Sequence, residues 1–246
     1  VAPITRFDPE IVIADRAFLA EVMAAEVRTE ARDALSRNGR FKIAIPGGSV
    51  AESFLPRLAR VPLDPTTVEV FWVDERAVPV DDTDSNARLG RTLWLDPGGF
   101  PCERVHPMQA DVQDLDAAAR EYERVLGANA GSSPHLDLVL LGVGEDGHVA
   151  SLFPGHAALI EEARAVVAVT DAPKAPSRRL TLTLPVLANA ERVIVAAFGE
   201  SKAEAMRAAL DPASDLPVAR VIRGAKRSLV LLDRAAGAGV LSSSWT

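Results

Sequence analysis

Apolar residues along this chain come in short blocks that alternate with longer amphipathic stretches. Phe41–Ile45, Val68–Val73, Leu136–Leu141 and Arg192–Phe198 have almost no polar face, which suits strands buried on both sides of a parallel sheet. Glu10–Ile13, Arg104–Met108 and Arg164–Thr170 are shorter strand candidates, and Arg179–Leu184 alternates like a half-buried strand. Helical periods lie between them. Asp15 caps a helix expected to run to Asn38 and stop at Gly39, with Phe18, Leu19, Val22, Met23 and Val27 facing inward. Phe54, Leu55 and Leu58 mark a second helix. Leu89 and Leu93 mark a third, begun by Asp84 or Ser85. Asp114–Leu126 is a fourth, with Leu115, Ala118, Ala119, Tyr122 and Leu126 as its inner stripe. A further helix, Glu200–Leu210, follows a turn at Gly199; Val218–Arg223 and Ser228–Leu232 complete the alternation. Gly127–Pro134 and Asp171–Ser177 read as loops. The pattern predicts an α/β fold, a mainly parallel sheet flanked by helices, in a single domain over residues 1–246.

Candidate chemistry gathers where the buried strands end, which is where ligands bind in open parallel sheets. After Leu136–Leu141 the chain reads Gly142-Val143-Gly144-Glu145-Asp146-Gly147-His148. The first six residues match G-x-G-x-x-G, the dinucleotide fingerprint. Two carboxylates inside the turn would repel a pyrophosphate, and Pro154 cuts short any helix opening near His148, so that reading is set aside. His148 suits proton transfer, since an unperturbed imidazole titrates at about 6.5. After Phe41–Ile45 comes Pro46-Gly47-Gly48-Ser49 and then a helix, a turn whose amides can approach an anion or a carbonyl oxygen. After Val68–Val73 comes Asp74-Glu75-Arg76, expected as a charged loop. Arg76, Arg88, Lys174, Arg179 and Lys202 are cations at predicted loop positions, and arginine matches phosphate with a fork of N–H groups. A phosphorylated small molecule fits these residues.

The chain has 246 residues and a net charge of −7. That balance argues against a nucleic-acid partner but allows local positive charge for a small anion. Cys102 has no second cysteine to pair with, so no oxidising compartment is required. No apolar run reaches the roughly 18 residues a membrane span needs, and VAPITRFDPE carries no signal pattern. A cytoplasmic location without membrane contact is expected. There is no G-x-S-x-G elbow, no H-E-x-x-H and no Cys/His zinc pattern, and Asp146, His148 and His156 are not a recognised ligand set.

Four separated motifs resemble those of the 6-phosphogluconolactonase family, in family order: IPGGS at Ile45–Ser49, FWVDERAVP with DSN at Phe71–Asn86, LGVGEDGHVASLFPG at Leu141–Gly155, and RLTLT at Arg179–Thr183. GESKAEAM at Gly199–Met206 is a weaker fifth. The resemblance implies a Rossmann-like fold shared with glucosamine-6-phosphate deaminase. It implies hydrolysis of 6-phospho-D-glucono-1,5-lactone to 6-phosphogluconate in the oxidative pentose phosphate pathway, with neither metal nor organic cofactor. It makes His148 the proton acceptor, oriented by Asp74 or Asp146. It makes Gly47, Gly48, Ser49, Arg76, Asn86, Arg179 and Lys202 the substrate- and phosphate-contacting residues, with the phospholactone as partner of a monomer or small homo-oligomer. Val50 departs from the threonine that many relatives carry after GGS.

Two other readings stand beside this one. An amino-sugar phosphate isomerase or deaminase resembles the chain at the GGS loop, Asp74-Glu75 and Asp146-Gly147-His148. Those enzymes usually have tyrosine where Arg76 stands and an NEP-like turn at Leu152-Phe153-Pro154. A non-catalytic sugar-phosphate-sensing module normally adds a DNA-binding segment, and residues 1–40 hold one long helix with no basic helix-turn-helix.

Overall fold

Strands with no polar face must be covered on both sides, and the computed structural model, which describes residues 9–240, meets that demand with a parallel sheet wrapped by helices. Residues 1–8, most of the stretch read for a signal pattern, lie outside the described residues. In chain order the elements are β1 (Glu10–Ala14), α1 (Arg16–Asn38), β2 (Phe41–Ile45), α2 (Gly48–Leu58), β3 (Val68–Trp72), β4 (Asp74–Arg76), α3 (Asn86–Gly90), β5 (Val105–His106) and α4 (Leu115–Ala130). Then come β6 (Leu138–Gly142), β7 (Val166–Val169), β8 (Arg179–Leu182), α5 (Leu184–Ala188), β9 (Arg192–Ala197), α6 (Ala203–Ala209), α7 (Pro217–Gly224) and β10 (Ser228–Asp233).

Seven strands form one sheet in the order β1-β10-β9-β6-β2-β3-β5, every pair parallel. From β2 the chain builds outward through β3 to β5. It then returns to the other side of β2 with β6 and builds outward again through β9 and β10. The loops after β2 and β6 therefore leave in opposite directions and open a crevice between them, the switch point at which such sheets bind ligands.

Local chemistry explains most boundaries. The Asp15 carboxylate accepts from Phe18 N at 2.9 Å and starts α1; Gly39, at φ +67°, ends it by donating to Leu35 O. The inner face holds Leu19, Met23 and Val27, but Phe18 is 54% exposed, because the capping turn leaves it outside the buried stripe. Ser85 caps α3 through Arg88 N, and the helix changes to a π turn over Arg91–Leu95. Asp114 caps α4, which continues through Gly127 to Ala130 and so absorbs half of the expected loop.

Two expectations are corrected. Asp74–Arg76 is not a loop: it is a strand, β4, paired antiparallel with β8, which pairs in turn with β7 in a separate three-stranded sheet. A three-residue polar strand has no apolar pattern to reveal it. And β8, expected half-buried, is buried throughout: Arg179 lines the cleft, and Thr181 accepts from Ser151 N. The two sheets join at Val73, which donates to Ile45 O at 3.0 Å and accepts from Leu182 N at 2.9 Å.

β5 is too short to finish pairing β3. Its last register partner is Phe71, so the amide of Trp72 lacks a strand opposite. Tyr122 of α4 fills the gap: its hydroxyl accepts from Trp72 N and donates to His106 O, both at 3.0 Å. Burial pushes the phenol well above its usual pKa and keeps it a donor. Tyr122→Phe leaves the buried Trp72 amide and the part-buried His106 carbonyl without this partner and is expected to cost about 1–3 kcal/mol, read as a lower denaturant midpoint with unchanged m-value. An unchanged midpoint would mean that water already serves those groups.

Candidate active site

The loop after β6 is built around the imidazole of His148. A Cβ on Gly144 would lie 1.9 Å from His148 Nδ1, so the ring occupies space that only glycine leaves. Gly144 N donates to His148 O at 2.8 Å and Gly147 N donates to Gly144 O at 3.1 Å; Gly147 itself needs φ +78°. The glycines that mimic a dinucleotide fingerprint therefore serve a tight turn over a histidine.

His148 Nδ1 lies 2.5 Å from Asp146 Oδ1, and His148 N donates to the same oxygen at 3.3 Å. A carboxylate accepts, so Nδ1 carries the proton and Nε2 keeps its lone pair. Nε2 has no protein partner among the described residues, and the residue lines a cleft of about 180 Å³. Burial pulls the imidazole below its ordinary pKa, against the hydrogen bond and charge of Asp146. Burial also works to raise Asp146, but the hydrogen bond and charge of His148 leave its carboxyl below the usual range. Phe153 supports the ring from 4.5 Å, centroid to centroid.

The question of which carboxylate orients His148 has a geometric answer. It is Asp146, because both oxygens of Asp74 are engaged elsewhere. Asp74 Oδ2 accepts from Ser151 Oγ at 2.7 Å and Oδ1 from Asn86 Nδ2 at 3.1 Å. Asp74 and Arg76 alternate with Glu75 along β4, so the first two line the cleft while Glu75 points away. Glu75 is 3% exposed and accepts from the amides of Arg76, Asn86 and Ala87 and from Ser85 Oγ. Burial nevertheless raises its carboxyl pKa, opposed by those amides.

The expected binding residues fall into two groups. Gly47, Gly48, Ser49, Arg76, Arg179 and Lys202 line the cleft, together with Lys174. Asn86 does not: it is 1% exposed and stands behind the loop, where a Cβ on Gly47 would lie 1.7 Å from its Oδ1. Its Nδ2 donates to Asp74 O and Oδ1, it packs against Gly47, and its own Oδ1 is buried without a partner. Gly47 gives α2 no side-chain cap, so the first amides of that helix are left for an anion. Val50 packs where a Cβ on Gly142 would come within 3.2 Å; its place is on the wall between the two loops.

Arg179 is 5% exposed and largely committed to the protein. Nε donates to Pro176 O, one terminal nitrogen donates to Lys174 O, and the other sits 3.4 Å from Ser151 Oγ and 4.0 Å from Asp74. It fixes the loop that carries Lys174. Arg76 donates to Asp84 O at 2.7 Å, while its Nε is buried without a partner. Lys202 Nζ has one carboxylate near it, Glu145 at 3.7 Å.

Ala150 and Ser151 lie inside the Leu141–Gly155 motif and Thr181 inside Arg179–Thr183, but the sequence pattern assigned none of them a role. Ser151 and Thr181 are fully buried and hydrogen-bonded to each other across 30 positions. Ala150 lines the cleft at φ +49°, a strained setting for a residue with a Cβ. His156 is turned to Asp171 Oδ1 at 2.8 Å and belongs to another part of the surface. Among the described residues no group of three or more His, Cys, Asp or Glu side chains is placed to hold a metal. A larger groove of about 560 Å³ between β5 and α4 is mainly apolar and has no such convergence of groups.

The family described as glucosamine-6-phosphate isomerases/6-phosphogluconolactonase matches residues 14–231. A 6-phosphogluconolactonase of Mycobacterium tuberculosis is 41% identical over 217 residues, covering 83% of this chain and 87% of that one. One from Streptomyces coelicolor is 36% identical and covers 93% of each. Among solved structures, 6-phosphogluconolactonase from Trypanosoma cruzi superposes with a TM-score of 0.86 at 28% identity, over 95% of this chain and 97% of that one. A monomeric glucosamine-6-phosphate deaminase superposes with a TM-score of 0.78 at 21% identity, over 93% of this chain and 99% of that one, and shows the shared fold.

Gly144→Ala forces the imidazole out of its place and away from Asp146. NMR titration of His148 should then show its pKa returning upward toward the solvent value of about 6.5. A titration identical to wild type would mean that the ring does not depend on that glycine.

Proposed function

We propose that this chain, which belongs to the glucosamine-6-phosphate isomerase/6-phosphogluconolactonase family, hydrolyses 6-phospho-D-glucono-1,5-lactone to 6-phospho-D-gluconate in the oxidative pentose phosphate pathway. It is a lactone hydrolase of the 6-phosphogluconolactonase type, as are relatives 36–41% identical over most of its length. The observation that carries the catalytic assignment is the bare Nε2 of His148, backed by Asp146, in a cleft lined by cations and helix amides.

In this reading His148 Nε2 takes a proton from water as the water oxygen attacks the lactone carbonyl carbon. The ring is neutral at the start, since burial keeps its pKa low, and the imidazolium formed is stabilised by Asp146. The carbonyl oxygen gains negative charge, which the amides at the start of α2 and the side chain of Arg76 are placed to stabilise. When the bond from the carbonyl carbon to the ring oxygen breaks, the imidazolium returns its proton to that oxygen. The new carboxylic acid then ionises and His148 is neutral again. Lys202 and Lys174 hold the phosphate and retain the lactone in the cleft. Asp74, Ser151 and Asn86 keep β4 and the Gly47 loop in register and take no proton.

The reading extends to a cytoplasmic enzyme acting as a monomer or small homo-oligomer, with no nucleic-acid or membrane partner. Among the described residues no helix is long and apolar enough to cross a membrane, and Cys102 requires no oxidising compartment.

The test is lactone disappearance after in-situ generation from glucose 6-phosphate, with the spontaneous rate subtracted. Wild type should accelerate hydrolysis, and His148→Ala should lose about 10²–10⁴ in kcat. Acceleration that survives the substitution would remove His148 as the base. No acceleration by folded protein, with ammonia released from glucosamine 6-phosphate, would replace the hydrolase by the deaminase.

A further inference from the structure

Lys202 ends a single 3-10 turn, Glu200–Lys202, and is the N-cap of α6; the turn starts without a side-chain cap from Gly199 at φ +89°. Its amide donates back to Gly199 O at 3.1 Å, so the place of Lys202 is set by the place of Gly199. The anchor for Gly199 comes from the neighbouring strand. Asp233, the last residue of β10 and 8% exposed, accepts from Gly199 N with both oxygens, at 3.0 and 2.9 Å.

The same carboxylate accepts from Ala236 N at 2.8 Å and from Arg16 Nε at 3.1 Å. Arg16 lies over the ring of Phe198, 5.0 Å from its centroid. Phe198 lines the cleft and meets Phe54 of α2 edge-on at 5.5 Å. Asp233 thus joins the start of α1, the end of β10 and the turn that aims Lys202 into the cleft. Burial opposes its charge, but the amides of Ala236 and Gly199 and the Arg16 side chain hold its carboxyl below the usual range, so it is an ionised acceptor at neutral pH. The resemblance of the sequence to known motifs gave Asp233 no role.

We propose that Asp233 is a positioning residue for substrate binding: by holding Gly199 it sets the reach of Lys202 toward the phosphate of the lactone. The proposal takes the identity of that anion from the hydrolase reading above. It separates two parts of the site. The His148–Asp146 pair on the β6 loop does the proton transfer. The Asp233–Gly199–Lys202 chain, one strand further out, retains the phosphorylated end of the substrate.

The consequence is a split between KM and kcat. Asp233→Ala in the full chain should raise KM for the phospholactone about tenfold, the scale of one charge-assisted contact, while kcat at saturation stays within about threefold. Inhibition by the product, 6-phosphogluconate, should weaken in parallel. Lys202→Ala should show a similar loss, and combining the two should add little, because the carboxylate acts through the lysine. Asp233→Asn keeps one acceptor oxygen for Gly199 and should raise KM about threefold, again only when Lys202 is present; this variant decides the matter if the alanine variant does not fold. A variant with wild-type KM, or full additivity with Lys202→Ala, overturns the proposal. Calorimetric binding of 6-phosphogluconate separates it from the hydrolase reading. Wild type that binds this compound but turns over no lactone contradicts hydrolysis and leaves the coupling readable in Kd. Wild type that hydrolyses the lactone with no coupling contradicts the positioning role alone.

Discussion

His148 can present a bare Nε2 to a ligand only because Gly144 has no side chain. The imidazole fills the volume a Cβ would need, and its other nitrogen is held by Asp146 two residues earlier. That local arrangement requires a tight, glycine-permitted turn, and the turn requires a strand end to start from. β6 supplies the strand end, and its place beside β2 supplies the opposing loop. The order of strands, the switch point and the Gly47–Ser49 turn bring one glycine-rich loop against one imidazole.

The two ends of the sheet differ in how their charges are engaged. At the amino ends of the strands, buried charges meet an opposite charge. Arg192, 3% exposed, takes both oxygens of Glu10 and one of Glu26, each at 3.0 Å, while its Nε has no partner. Asp137 accepts from Lys42 N and Arg37, and Glu30 accepts from Arg227. Such pairs add little net stability, but losing one partner is costly. Around the cleft at the carboxyl ends, Nε2 of His148, Nε of Arg76 and Oδ1 of Asn86 have no partner among the described residues, and Nζ of Lys202 has only the distant Glu145.

Much of this was legible in the sequence because it is local. Apolar runs announced β2, β3, β6 and β9, Asp15 and Gly39 bounded α1, and Gly-rich turns after two buried strands pointed to the cleft. The small antiparallel sheet was not legible: β4 is Asp-Glu-Arg, three polar residues whose burial depends on β8 more than a hundred positions away. Ser151 meets Asp74 across 77 positions, and Asp233 meets Gly199 across 34; neither pairing leaves a periodic trace. Asn86 was read with the ligand contacts because its motif runs close to Arg76; its Nδ2 donates to Asp74 and its Oδ1 has no partner. Sequence pattern reports burial along one element; the support of a site is assembled between elements.

We propose that a neutral His148, held by Asp146, is the proton acceptor in lactone hydrolysis. The most direct measurement is the acid limb of kcat in wild type compared with Asp146→Asn. The substrate's own phosphate titrates identically with both proteins, so a difference between them belongs to the enzyme. Burial lowers the imidazole pKa and Asp146 raises it. The wild-type limb should therefore lie below about 6.5, and removing the carboxylate should move it further to acid while kcat falls. A limb at the same pH in both proteins would contradict the account.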